Sequence, residues 1–274
     1  MRRLPSQPLT STLLNTAQIE LWPADLLRVR SNADARILAV AHAVLRRKHD
    51  GRYLAAVSTR GVHPLVPGLP REPGLDEAWD ALENFERATR GFDADAQGLL
   101  PLHALQDRLH AVGLDEDAYA NRTGLALVAE PAALAFAGRD RYRRPLWLTR
   151  GAARAWLALR AAAAREGIVL EAISGYRSHD YQLGIFERKR ARGQTVDEIL
   201  TVNAAPGYSE HHSGRALDIG APDEPPAEAS FERTPAFAWL TGRAADFGFV
   251  MSYPRDNPHG IVYEPWHWYY DGGA

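Results

Sequence analysis

The chain has 274 residues, 46% of them hydrophobic and 24% charged, with a formal net charge of −2; this is the composition of a globular protein with room for one large domain or two ordinary ones. The near-neutral balance supplies no excess of basic residues for nucleic acid or an anionic membrane surface, so neither is expected as a partner. With no cysteine, disulfides, thiolate metal sites and a cysteine nucleophile are excluded, and any metal must be held by histidine and carboxylate side chains.

The opening residues, MRRLPSQPLTSTLLNTAQIEL, hold two arginines but no apolar run of signal-peptide length, and no stretch of the chain is long enough to span a bilayer. On that ground alone a cytoplasmic chain is expected. Residues 33–48, 76–90 and 102–112 carry apolar residues at helical spacing, the last two stopping at Gly91 and Gly113. The segment 61-GVHPLVPGLPREPG-74 between them is rich in Pro and Gly and reads as loop. The spacing therefore predicts a mainly helical N-terminal portion over 1–130.

From about residue 131 the punctuation is more regular. Thr149 can cap a helix running through Glu166 to a stop at Gly167, and 169-VLEAISG-175 reads as a buried strand. A helix over 180–192 ends at Gly193, 195-TVDE-198 has capping-box spacing, and Thr234-Pro235 starts a segment that runs through Phe247 to Gly248. The short β-prone pieces 215-RALDI-219, 249-FVMSY-253 and 266-WHWYY-270 complete the chain. Helices first and an antiparallel sheet afterwards predict an α+β fold, with a domain over 131–274 distinct from 1–130.

The chemistry concentrates in that second half. His211 and Asp218 are seven apart across Gly214, so a bend brings one from each side to a common point. A catalytic zinc site takes three protein ligands and leaves a position for water. His267 is the candidate third ligand, because 264-EPWH-267 sets a carboxylate three residues before it. In that arrangement Asp218 is the carboxylate on the metal, and Glu264 is the base that takes a proton from the metal-acidified water and returns it to the leaving amine. A plainer reading stays open: single histidines are ordinarily surface or core residues, and Trp266, Trp268, Tyr269 and Tyr270 ordinarily pack an edge strand. His63, His103, His110, His179, His212 and His259 are left to that reading.

The pieces in combination resemble a known family. The stretch 209-SEHHSGRALD-218 is similar to the S-x-H-x-x-G-x-A-x-D pattern of the VanY-type D-alanyl-D-alanine carboxypeptidases, zinc peptidases related to the D-Ala-D-Ala dipeptidases and the Hedgehog-like zinc domains. It meets that pattern at Ser209, His211, Gly214, Ala216 and Asp218. Downstream 264-EPWH-267 and upstream 174-SGYRSHDYQ-182 resemble the family's other two motifs, in the right order, from near Leu134 to the end of the chain.

The resemblance implies one Zn2+ per chain on His211, Asp218 and His267, with Glu264 as base. It adds Arg177, a guanidinium in the cleft that stabilises negative charge on the substrate, and expects Ser174, Gln182, Ser209 and Trp266 as substrate contacts. It further implies an α+β fold with a small antiparallel sheet carrying the zinc site, and a peptidoglycan stem peptide cleaved at a terminal D-Ala-D-Ala bond. An L,D-carboxypeptidase or endopeptidase on the same scaffold, a non-catalytic zinc module and a metal-free site are the rival readings. That substrate lies mainly outside the inner membrane, which sets a periplasmic or envelope location against the cytoplasmic one.

Overall fold

The computed structural model describes residues 9–90, 98–111, 113–200 and 204–272. Residues 1–8, Gly91, expected as a helix stop, and Val112 lie outside them. The chain divides into two compact units, one of 1–100 with 131–135, the other of 101–130 with 136–274. Residues 101–130, grouped with the N-terminal portion in the sequence reading, thus cluster with the C-terminal unit.

The first unit is built on an antiparallel meander. Strands β1 (Thr12–Asn15), β2 (Ile19–Pro23), β3 (Ala43–Arg47), β4 (Tyr53–Ser58) and β5 (Gly61–Pro64) lie in the order β5-β4-β3-β2-β1. The first residues of β6 (Ala133–Arg139) pair along β1, Leu14 opposite Ala133. Helix α1 (Asn32–Leu38) is capped by Ser31, whose hydroxyl accepts from Asp34 N, and α2 (Leu75–Arg90) follows β5. Leu14, Ile19, Leu21, Leu45, Leu54 and Val57 are buried in one cluster with Ala78 and Leu82 of α2. Val44 and Ala56 pack with Ile37 and Leu38 of α1.

This corrects the mainly helical reading of the N-terminal portion, where strands dominate. The cause is burial on both faces, which replaces the alternation of a half-buried strand by continuous apolar runs such as AVL and LAAV. Over 33–48 the pattern therefore looked like one helix, whereas α1 ends at Leu38 and β3 takes 43–47. Likewise 61–74 is not all loop; it holds β5 and a 3-10 turn, Leu69–Arg71.

In the second unit, helices α3 (His103–Ala111) and α4 (Glu116–Thr123) precede β7 (Pro145–Leu148), α5 (Arg150–Arg165), β8 (Glu171–Ser174), α6 (His179–Ala191), α7 (Val196–Leu200), β9 (Ala216–Gly220), α8 (Pro235–Arg243), β10 (Phe249–Met251) and β11 (His267–Tyr270). From α5 onward this unit follows its expected order, whereas α4 and β7 were not expected. The capping box forms as read: Glu198 N donates to Thr195 Oγ1 and Thr195 N to Glu198 Oε2. Thr149 holds the N-cap position of α5 without a side-chain cap bond, while α6 is capped by Ser178 and starts one residue earlier than read.

Strands β10, β11, β9 and β8 form a small antiparallel sheet in that order. Helix α5 buries Trp156, Leu159, Ala162 and Ala163, of which Leu159 alone contributes about 1.5–3 kcal/mol by leaving water. Leu105, Leu109, Leu114 and Tyr119 form a further cluster with Leu183, Ala205 and Tyr208.

Candidate active site

Strand register puts the expected ligands side by side. Asp218 on β9 pairs with His267 on β11 and, across the other edge, with Ser174 on β8. His211 arrives from a 3-10 turn, Glu210–Ser213, that ends at Gly214 with φ +66°, a conformation that favours glycine. The turn leaves the two adjacent histidines with different partners. His212 is fully buried, its Nδ1 bonded to Arg177 O and its Nε2 accepting from Gly207 N.

Three buried side chains converge. His211 Nε2 and His267 Nδ1 each lie 3.2 Å from Asp218 Oδ1, and one ligand atom from each residue falls within 4.8 Å of the others. His211 Nδ1 sits 2.7 Å from Gly175 O; a carbonyl only accepts, so Nδ1 carries the proton and Nε2 presents its lone pair to the cluster. Gly175 is required there because a Cβ would come within 2.8 Å of Leu146 Cδ1 and 3.0 Å of Trp147 O.

Two ring nitrogens gathered at 3.2 Å about one carboxylate oxygen make a donor set that a cation would complete. Tetrahedral zinc with bonds near 2.1 Å sets its ligand atoms about 3.4 Å apart. The donor set, two imidazoles and a carboxylate, fits such an ion.

Arg177 enters from the loop after β8. Its Nη2 donates to Asp218 Oδ2 at 2.6 Å and lies 2.6 Å from His211 Nε2, and its Nε donates to Ser174 Oγ at 3.1 Å. Glu264 Oε2 is 3.8 Å from His267 Nδ1, held by a backbone bond from Glu264 N to Tyr253 O. Burial is the main cause that pushes the Glu264 carboxyl up to about 7, with His267 and Arg177 opposing it and Asp218 and Glu210 reinforcing it. Burial also takes His211 down to about 4, helped by the Arg177 charge. For His267 burial acts downward but is overcome by bonds to Asp218 and Glu210, which lift it to about 9. Burial would raise Asp218, yet His211 and Arg177 hold it well below the usual carboxylate range.

The expected substrate contacts divide. Ser174 meets the site through Arg177. Ser209 is buried and its carbonyl accepts from His212 N. Gln182 is buried on α6 with its amide donated to Ala204 O. Trp266 is half-buried, and its backbone carbonyl accepts from Ile219 N; among the described residues no hydrogen bond or ring contact joins its side chain to the cluster.

Sequence reasoning missed two neighbours. Glu210 Oε2 accepts from His267 Nε2 at 2.8 Å, and the ring of Tyr253 lies 4.8 Å from that of His267. Glu210 stood in the quoted motif, but its role depends on the turn and on the β9–β11 pairing. Tyr253 carried no signal. Behind the site, Glu130 accepts from His179 N at 2.6 Å and from Tyr176 OH at 2.7 Å, Val128 N donates to Gly207 O, and His179 Nε2 meets Val128 O.

Residues 145–273 match the family model described as VanY: D-alanyl-D-alanine carboxypeptidase. The resemblance read from the motifs is thereby shown for that stretch. A D-alanyl-D-alanine carboxypeptidase of Enterococcus faecium is 37% identical over 102 residues, covering 36% of this chain and 29% of that protein. YodJ of Bacillus subtilis (strain 168) is 37% identical over 121 residues, covering 40% and 41%. The chain thus spans less than half the length of these relatives. Among solved structures, the LdcB LD-carboxypeptidase is similar at 30% identity and a TM-score of 0.45, over 48% of this chain and 64% of that one.

Proposed function

We propose, from the VanY-type match over residues 145–273 and the convergence of His211, Asp218 and His267, that this chain is a zinc-dependent carboxypeptidase. Its substrate is a peptidoglycan stem peptide or precursor, from which it removes the terminal D-Ala of a D-Ala-D-Ala end. The observation that carries the reading is the pair of 3.2 Å approaches to one oxygen of Asp218 with the Glu264 carboxyl 3.8 Å from the same His267 nitrogen. A purely structural zinc closes its shell and has no use for a base beside it.

When bound, zinc would supply Lewis acidity and a more acidic water. The protein's own groups do the rest. Glu264 takes the proton of the attacking water and delivers it to the leaving amine, which general acid–base catalysis rewards with about 10²–10⁴-fold in rate. Arg177, aimed by Ser174, receives the negative charge of the substrate carboxylate or of the carbonyl oxygen as it develops. Ser209, Gln182 and Trp266 are assigned to the walls of the cleft. Residues 131–274 are assigned as the catalytic part, with 101–130 joined to it.

The decisive experiment is mass spectrometry of tetra- and pentapeptide wall precursors incubated with the protein, with and without a chelator. Loss of one D-Ala from the pentapeptide, abolished by the chelator, is expected; cleavage of the tetrapeptide alone, or cleavage that survives chelation, would overturn the assignment. Glu264→Ala should keep its zinc while turnover falls by about 10²–10⁴-fold.

A further inference from the structure

One strong contact in the cluster belongs to a residue that the proposed reaction does not use. His267 Nε2 donates to Glu210 Oε2 over 2.8 Å, and the ring is buried. Glu210 is held in turn by its place in the 3-10 turn that ends at Gly214. A carboxylate only accepts. The bond therefore fixes a proton on Nε2 and aims Nδ1 at Asp218 Oδ1, 3.2 Å away.

An imidazole whose outer N–H is given to a carboxylate is both oriented and made more basic at its inner nitrogen, the arrangement found behind metal-ligating histidines generally. The opposite ligand is treated differently: His211 gives its outer N–H to the neutral carbonyl of Gly175. The two histidines are thus unequal, and the charged partner backs only one of them.

Building on the zinc reading above, we propose that Glu210 is a positioning residue that sets the affinity of the His211–Asp218–His267 group for its cation through His267. It touches neither substrate nor the reacting atoms. Its loss should appear first in metal binding, and activity should return when zinc is supplied in excess.

The test is zinc titration of the full chain against a competing chromophoric chelator. Glu210→Ala should weaken zinc binding about 10- to 100-fold, and Glu210→Gln, which keeps an acceptor oxygen but no charge, by less. Raising zinc from limiting to saturating should recover most of the activity lost by both variants, which a merely structural defect would not allow. Circular dichroism shows whether each variant is folded; should Glu210→Ala not fold, Glu210→Gln decides by the same reading. Zinc affinity within about twofold of wild type in the folded variant would overturn the role. If His211→Ala abolishes zinc binding while Glu210→Ala leaves it unchanged, this inference fails and the zinc reading stands. If the wild type takes up no zinc, both fail.

Discussion

One buried cluster in the second unit is unlike the buried ionisable groups described in the first. In the first, Glu20 is 3% exposed and accepts from Arg46 Nη1 and Trp22 Nε1, both at 2.8 Å, while buried Lys48 donates to Thr16 O at 2.9 Å. Acceptors there meet donors, as low dielectric demands. In the second, one oxygen of Asp218 faces two ring nitrogens, and a second carboxyl, Glu264, stands by the same histidine. Matched burial marks architecture. Crowding of groups that share a need for one cation marks a site, and it is this imbalance that separates the two regions where burial itself does not.

The contrast can be broken most sharply by exchanging what is removed. His211→Ala should abolish both stoichiometric zinc and turnover, read by metal analysis and by product formation, whereas Glu20→Ala should leave both intact. A Glu20→Ala protein that lost its zinc would undo the separation. Next in size is Arg177→Lys, which loses the planar fork between Ser174 and Asp218; kcat/KM should fall by about 10²–10³-fold, the loss seen for one charge-stabilising donor. Glu20→Ala should instead cost stability, about 2 kcal/mol in denaturant unfolding. That is less than for a fully buried pair, because Arg46 keeps contact with water.

The smallest effects concern pH and run in opposite directions in the two units. Bonding to Arg47 takes Asp50 down to about 2, so its stabilising contribution is present above the ordinary carboxylate range and is lost as pH falls through about 2. Burial, reinforced by Glu116, pushes Tyr208 up to about 12, so its contribution is full below the ordinary tyrosine value near 10 and is lost as pH rises through about 12. Thermal midpoints across pH should show Asp50→Asn flattening the acid limb and Tyr208→Phe the alkaline limb. Either variant flattening the other's limb would blur the distinction.

What was legible in the sequence follows from the same physics. The convergence of His211, Asp218 and His267, with Glu264 beside them, could be anticipated because ligand chemistry restricts residue type and because turns and caps are local: Gly214, Thr195 and Thr234-Pro235 all act within a few residues. The Arg177 role came from the resemblance alone, and its geometry needed the β8–β9 edge. Glu210 was invisible as a partner of His267 because the contact joins residues 57 apart in the chain. The N-terminal strands were misread since nothing local distinguishes a strand covered on both faces from a buried helix.

The short run 128–130 has a consequence for how this chain can be divided. It lies ahead of the stretch that matches the family model, yet Val128 and Glu130 bond to the loops that carry both the Arg177 and the His211 motifs. Directly after it, 131–135 belong to the first unit before the chain returns to the second. No single scission separates the units. A catalytic piece trimmed to the boundaries of the family match would leave its two motif loops without their stays, and a graft onto another protein would have to carry residues 101–130 along.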